Sequence, residues 1–239
     1  TDIWVLEINT NLELLNEKTF GTLDNDFATS ILEIEPGEFI INGNHSGVSP
    51  NWVAKVSWPD GDVLWENDFG NRNINFGTLK QHNDFIYLVT NSYNGVNPAQ
   101  WGYIAKISQA GVVVDDFYFG GENVNYGPLF TDLCFDSNGD MYITGEITSP
   151  GGAITAPTFS TTTNIRSDVL VLKTDGNFNE IWQKSFGGTG RDNLYLYGSP
   201  HLILDTNNNP IFLTTTNSLD KNVKSYIDNW KMWLVKVKN

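Results

Sequence analysis

The sequence has very little cysteine and histidine: one Cys and three His in 239 residues. A lone thiol excludes an intrachain disulfide and any cage of cysteine ligands around a metal. In Leu133-Cys134-Phe135 it reads as a small buried hydrophobe, so it does not fix the compartment. His45, His82 and His201 fall at three different places in the chain's periodic pattern, and neither a zinc cluster nor a nucleophile-base pair is expected from them. Positive charge is scarce, with 14 Lys and Arg against 28 Asp and Glu, a net charge of −14. That balance excludes a broad surface tracking phosphates, and nucleic acid as a partner with it. No run approaches the roughly twenty apolar residues of a membrane span, and no basic-then-apolar signal segment leads the chain. No apolar 3.6-residue period persists long enough for a substantial helix. Walker loops, dinucleotide fingerprints and Ser-His-Asp elbows are also missing; Gly187-Gly188-Thr189-Gly190 is glycine-rich but leads into strands.

What the chain does have is repetition. One strand pattern occurs five times: Ile3-Trp4-Val5-Leu6-Glu7-Ile8, Trp52-Val53-Ala54-Lys55-Val56, Tyr103-Ile104-Ala105-Lys106-Ile107, Leu170-Val171-Leu172-Lys173 and Trp233-Leu234-Val235-Lys236-Val237. The spacing is about 50 residues early and about 65 late, within the range of propeller blades. Each of the first four copies leads through a turn to a second strand ending in Phe-Gly, at Phe20-Gly21, Phe69-Gly70, Phe119-Gly120 and Phe186-Gly187. Two further strands follow, joined by hairpin signals at Pro36-Gly37, Asn83-Asp84, Ser137-Asn138-Gly139 and Asn207-Asn208-Asn209. About seventeen strands are expected: the outer two of one blade, three complete blades and a last blade without its outermost strand. The expected architecture is all-β, a propeller of four-stranded antiparallel blades. Five blades are expected, the N-terminal one incomplete in this chain; a fragment of a larger propeller is the alternative. Residues 1–239 are read as one domain, with repeats near 1–47, 48–97, 98–150 and 151–220 and a terminal strand at 231–239.

The third repeat carries a more specific pattern. Asp132, Asp136, Gly139, Tyr142 and Gly145 are followed by a polar loop, then by Asp168, Lys173, Trp182, Phe186, Gly187, Gly188 and Asp192. This resembles the bacterial β-propeller repeat known as SBBP. The likeness runs over essentially the whole chain, with Glu7 replacing the lysine in the first copy and Asn209-Pro210 replacing the glycine and its successor in the fourth. The resemblance implies a module of a secreted, cell-surface or envelope protein, outer-membrane-associated or lipid-anchored, whose repeat positions are architectural. It implies no catalytic residues.

Three candidate chemistries and one location remain. Asp136-Ser137-Asn138-Gly139-Asp140 and Asp205-Thr206-Asn207-Asn208-Asn209 place oxygen side chains at alternate positions, as calcium loops do, but lack the sixth-position glycine and the closing glutamate. They are read as tight hairpins. Asp24, Asp26, Asp132 and Asp192 stand near the entrances of inner strands, where a glycosidase would place acids; strand-entry turns are the simpler expectation. Trp58, Trp101 and Trp230 fall outside the repeat register and are the candidate binding residues. The insertions at 91–100, 148–167 and 216–230 all fall between second and third strands, which places them on one face. The expected function is a non-enzymatic extracytoplasmic module that binds a protein partner. Carbohydrate binding is the alternative and glycoside hydrolysis a lesser one. No cofactor and no metal are expected, and membrane association only through an anchor outside this chain or through a partner.

Overall fold

A computed structural model describes residues 2–45, 49–68, 77–93, 100–120, 128–148, 150–159, 168–192, 201–224 and 230–238. Among these residues there are seventeen strands, in the number and order expected, and no helix long and apolar enough to cross a membrane. They are β1 (Ile3–Ile8), β2 (Leu14–Phe20), β3 (Asp26–Glu35), β4 (Glu38–His45), β5 (Ser49–Ser57), β6 (Val63–Asp68), β7 (Thr78–His82), β8 (Phe85–Tyr93), β9 (Gln100–Ser108), β10 (Val113–Phe119), β11 (Leu129–Phe135), β12 (Met141–Ile147), β13 (Asp168–Thr174), β14 (Glu180–Phe186), β15 (His201–Leu204), β16 (Pro210–Thr216) and β17 (Lys231–Lys236). Five sheets result. Three have four strands in sequence order, β3 to β6, β7 to β10 and β11 to β14; β15 to β17 form three strands and β1 with β2 form two. Every pairing whose register is resolved is antiparallel. The chain divides into two compact units, one of Thr1–Leu88 with Ala105–Asp116 and the other of Val89–Ile104 with Phe117–Asn239.

The first unit shows how successive sheets pack. Side chains alternate across a strand, so each third strand presents two rows to opposite faces. In β1 one row, Ile3 and Val5, meets the row Trp52, Ala54 and Val56 of β5, with Phe20, Ile41 and Phe39 completing the cluster. Trp52 is buried, and its indole N–H donates to Glu66 Oε2 at 2.9 Å. First strands are joined by a polar contact as well: the Leu79 N–H in β7 donates to Ser30 Oγ in β3 at 3.1 Å.

The second unit repeats both devices with other residues. Tyr142, Val169 and Val171 of the β11 to β14 sheet pack on Leu202, Phe212 and Val237 at the next sheet, with Trp182, Phe186 and Val235 at the margin. The Leu202 N–H in β15 donates to Asp132 Oδ2 in β11 at 2.9 Å, and Asp132 holds the position that Ser30 holds in β3. Tyr142 meets Trp182 edge to face at 5.9 Å, and Phe212 meets Phe186 at 5.4 Å.

The turns explain the hairpin signals. Gly37, Asn83, Gly139 and Asn208 all have positive φ, each in the turn joining a first strand to a second. Turns joining third to fourth strands place one residue in the same left-handed region: Leu12 (φ 65°), Gly61 (76°), Gly111 (80°) and Phe178 (64°). In the 175–179 turn that residue is Phe178 and not the neighbouring Gly176. A bulky side chain there is costly, by roughly 1–2 kcal/mol. Phe178 is buried and stacks on Phe117 at 5.3 Å, a contact that offsets the strain; Leu12 is 80% exposed and has no such return. Leu12→Gly is expected to be neutral to stabilising, by up to about 1 kcal/mol, and Phe178→Gly to destabilise by about 2–3 kcal/mol. Equilibrium denaturation of the two variants checks the contrast.

Candidate functional site

The entry acids come first, because hydrolytic chemistry would rest on them. Asp26 stands five residues after the glycine of Phe20-Gly21, and Asp192 five residues after that of Phe186-Gly187. Each turns back to its own turn. Asp26 Oδ2 accepts the Thr22 N–H at 2.5 Å, and Asp192 Oδ2 accepts the Gly188 N–H at 2.7 Å. Asp192 also accepts from Ser218 Oγ at 2.7 Å and from Thr216 Oγ1. It is fully buried; burial pushes its carboxyl up, against the pull of the Thr216, Ser218 and Gly188 donors. Asp132 accepts the Leu133 and Leu202 N–H groups, and Asp24 is exposed at the Thr22 turn. The acids thus have strand-entry roles. The same spacing places Asn75 and Asn125 after the other two Phe-Gly pairs, outside the described residues. Phe-Gly followed at that interval by Asp or Asn is a signal the repeat comparison could have yielded directly.

Gly187 lies between two carboxylates. A Cβ there would run into Asp168 Oδ1 and come within 2.7 Å of Asp192 Oδ2, so only glycine fits. The glycine-rich loop after it points its amides inward. The Gly187 N–H donates to Asn222 Oδ1, Thr189 to Asp220 Oδ1, Gly190 to Ser218 Oγ and Arg191 to Asn217 Oδ1, over 2.5–3.2 Å. A row of free amides would suit an anion. These already hold side chains of 217–222.

The oxygen-rich turns are closed in the same way. Asp136 Oδ1 accepts the Asn138 and Asp140 N–H groups, Asp205 Oδ1 those of Asn207 and Asn209, and Asp175 Oδ1 those of Asn177 and Asn179. The charge that neutralises two of them is a lysine from the third strand. Lys173 Nζ lies 2.8 Å from Asp140 and 3.3 Å from Asp136, and Lys236 pairs with Asp205. Lys55 does the same for Glu38 at 2.6 Å, and Lys106 sits 4.3 Å over the Phe85 ring. Burial disfavours the Lys173 ammonium, yet Asp140, Tyr142 and Asp136 hold its pKa above the usual lysine range. In the Asp136 and Asp205 turns a lysine ammonium thus lies against the carboxylates. No group of three or more His, Cys, Asp or Glu suited to a metal occurs among the described residues. His82 ends β7 and His201 starts β15, while His45 ends β4 with its side chain outside the description.

The three tryptophans part company. Trp58 follows β5, in the turn between a third and a fourth strand; its indole N–H donates to Glu7 Oε2 at 2.8 Å and its ring meets Phe39 edge-on at 6.4 Å. Glu7 replaces the repeat lysine, and Trp58 with Asn16 supplies its donors. Trp58 thus ties β1 to the turn that follows β5. Trp101 lies within β9, half-buried, with Gly120 against its ring. Trp230 stands just before β17 and is 44% exposed. Trp101 and Trp230 share the second-to-third-strand end of their sheets, the end that carries the long insertions; Trp58 does not.

Parts of those insertions are fixed. Gln183 of β14 accepts the Thr155 and Ala156 N–H groups and donates to Ala153 O at 2.9 Å; Ser185 donates to Pro157 O, and the Phe159 N–H to Asp168 Oδ2 at 2.7 Å. Residues 151–159 thus cover the edge of β14, and Ile154 and Ala156 are buried. Residues 160–167, 225–229 and 94–99 lie outside the described residues.

No family model matches the sequence, and no curated relative does. Among solved structures the chain is similar to a protein of unknown function from Bacteroides caccae, with TM-score 0.53 and 11% identity over 92% of this chain and 66% of that one. It is similar to the phage phi92 endosialidase, with TM-score 0.50 and 11% identity over 89% of this chain and 36% of that one. A thermostable family-43 glycoside hydrolase aligns over 81% of this chain and 65% of its own, with TM-score 0.47 and 9% identity. The chain therefore spans less than two thirds of the length of these structures. Such identities speak to fold alone, and the fold is an all-β propeller of four-stranded antiparallel blades.

Two predictions follow from this geometry. Gly187→Ala is expected to lose at least 2 kcal/mol, roughly the cost of displacing a buried hydrogen-bonded carboxylate, read by chemical denaturation. Lys236 with Asn209 holds the Asp205 carboxyl below its ordinary 3.8, Asn179 does so for Asp175, and Asn16 with Trp58 holds Glu7 below its ordinary 4.5. Groups depressed by folding contribute stability above their unfolded pKa and lose it as pH falls through the folded one. Melting temperature is expected to fall as pH drops below about 4, and Asp205→Asn to flatten that decline.

Proposed function

We propose that the chain is a non-enzymatic interaction module, an SBBP-type propeller of a bacterial secreted or envelope protein that works outside the cytoplasm and binds a protein partner. One observation supports this reading above the others: the acids that hydrolysis would need, Asp26, Asp132 and Asp192, are each engaged by backbone N–H groups of their own turns or of the next sheet. Trp101 and Trp230, which share the second-to-third-strand end of their sheets, mark the recognition edge, with Trp230 exposed. Membrane association comes through an anchor outside this chain or through the partner. Carbohydrate binding at the same edge is a second reading, favoured by the exposed Trp230 ring, which suits stacking on a sugar.

The test is capture from solubilised native envelopes by immobilised chain, followed by titration of the purified partner. A single protein bound at micromolar affinity or better is expected, with about tenfold loss on Trp230→Ala. A glycan array answered by wild type but not by Trp230→Ala would shift the reading to carbohydrate. Glycoside turnover that disappears in a folded Asp192→Asn variant would contradict the non-enzymatic reading.

A further inference from the structure

The two carboxylates beside Gly187 each hold one of the long insertions. Asp168, the first residue of β13, accepts the Phe159 N–H through Oδ2 at 2.7 Å and so fixes the end of the 151–159 segment. Asp192 accepts the hydroxyls of Thr216 and Ser218, where the 216–230 insertion begins. Both carboxylates are fully buried. Asp168 Oδ1 and Asp192 Oδ2 both lie within 2.7 Å of the point where a Cβ on Gly187 would stand. They are therefore no more than about 5 Å apart, within the roughly 4–6 Å at which like charges shift each other's titration. Other charged groups surround the pair. Asp220 accepts the Thr189 N–H at 2.7 Å and adds its charge to the repulsion on Asp192, while Lys231 Nζ donates to Ser218 O at 2.8 Å. Arg191 precedes Asp192 and is bound through its backbone to Asn217. On β14 Lys184 stands over the Trp182 ring; on β12 Glu146 precedes Ile147, the residue paired with Asp168, and so points to the other face of the sheet.

Two buried anions this close repel each other, and one proton between them removes the repulsion. We propose that Asp168 and Asp192 share one proton across Gly187, and that this proton fastens the two insertions to a common joint, more tightly in mild acid than above neutral pH. The proton lies between Asp168 Oδ1 and Asp192 Oδ2, which leaves Asp168 Oδ2 for the Phe159 N–H and Asp192 Oδ1 for the Thr216 hydroxyl. Glycine is required at 187 because a Cβ would stand between the two oxygens. Burial pushes the Asp192 carboxyl up, in the direction the shared proton needs. A carboxyl raised by folding binds its proton more tightly in the folded chain than in the unfolded one. The stability it contributes is therefore present at low pH and is lost as pH rises through the folded value. This is opposite in sign to Asp205, Asp175 and Glu7, so stability is greatest between the two ranges. The inference stands apart from the partner reading above, since it concerns how the insertions are held and not what they bind.

Asp168→Asn tests it, because the amide nitrogen stands where the proton would be and donates to Asp192 Oδ2, while the amide oxygen keeps the Phe159 N–H. Urea unfolding of wild type and variant is compared from about pH 5 to about pH 8, where the three histidines titrate alike in both chains. The ratio of their unfolding constants is expected to move in the variant's favour by about tenfold or more over that range, the equivalent of one pKa unit, and the variant to be the more stable at the upper end. Carbon-13 NMR of the aspartate carboxyls in the wild type is expected to show a titration step above about pH 5, against an ordinary value near 3.9, and Asp168→Asn to lack it. Wild-type aspartates that all titrate below about pH 5 overturn the proposal. So does an Asp168→Asn variant that is less stable than wild type by the same margin at both ends of the range, since Asp168 is then an acceptor and nothing more. Should the variant fail to fold, the wild-type carboxyl titration decides alone.

Discussion

Everything in this structure depends on one sheet face packing against the next. A four-stranded antiparallel sheet of this length cannot bury its apolar rows alone, and its twist leaves two faces to cover. Within each unit the solution is the same: a row from the third strand of one sheet, Ile3 and Val5 or Val169 and Val171, lies on the opposite row of its successor. Aromatic side chains join both clusters: Phe20 is buried within the first, and Trp182 with Phe186 packs against the second.

That packing places demands on the polar residues. First strands of neighbouring sheets are tied through the Leu79 and Leu202 N–H groups, which Ser30 and Asp132 accept. The chain leaving an outer strand turns sharply after Phe-Gly, and Asp26 and Asp192 accept the amides exposed by that turn. Asp192 is held in place by Ser218 and Thr216 although burial raises its pKa, as expected of a carboxylate kept for its acceptors. The third-strand lysines are pinned to the first hairpin of their own sheets. An acidic, hydrogen-bonded pattern that looks like chemistry in one dimension thus becomes the internal wiring of a repeat.

The sequence made the strands, their order and most turns readable, because two-residue alternation and the left-handed positions of Gly37, Gly139 and Asn208 are local signals. It does not mark Phe178 as the left-handed residue of the 175–179 turn, since the stack of Phe178 on Phe117, far away in sequence, is what holds that conformation. The three tryptophans were equivalent in sequence because their partners are distant; only the structure shows Trp58 bound to Glu7 from 51 residues away. The docking of 151–159 on Gln183 was equally unreadable, because a glutamine facing outward from a strand carries no mark of what it will clamp. Candidate acids could be listed from the repeat, but their roles depended on knowing which amides face them.

The central claim is that the glycine-rich exit of β14 is a filled structural joint and not an open site. Native-state hydrogen exchange at the Gly188, Thr189, Gly190 and Arg191 amides tests it most directly, because each has an internal side-chain acceptor. The account predicts protection comparable to that of the β13 core amides, with exchange only through global unfolding. Exchange at rates typical of an exposed loop, slowed only when an anion is added, would contradict it.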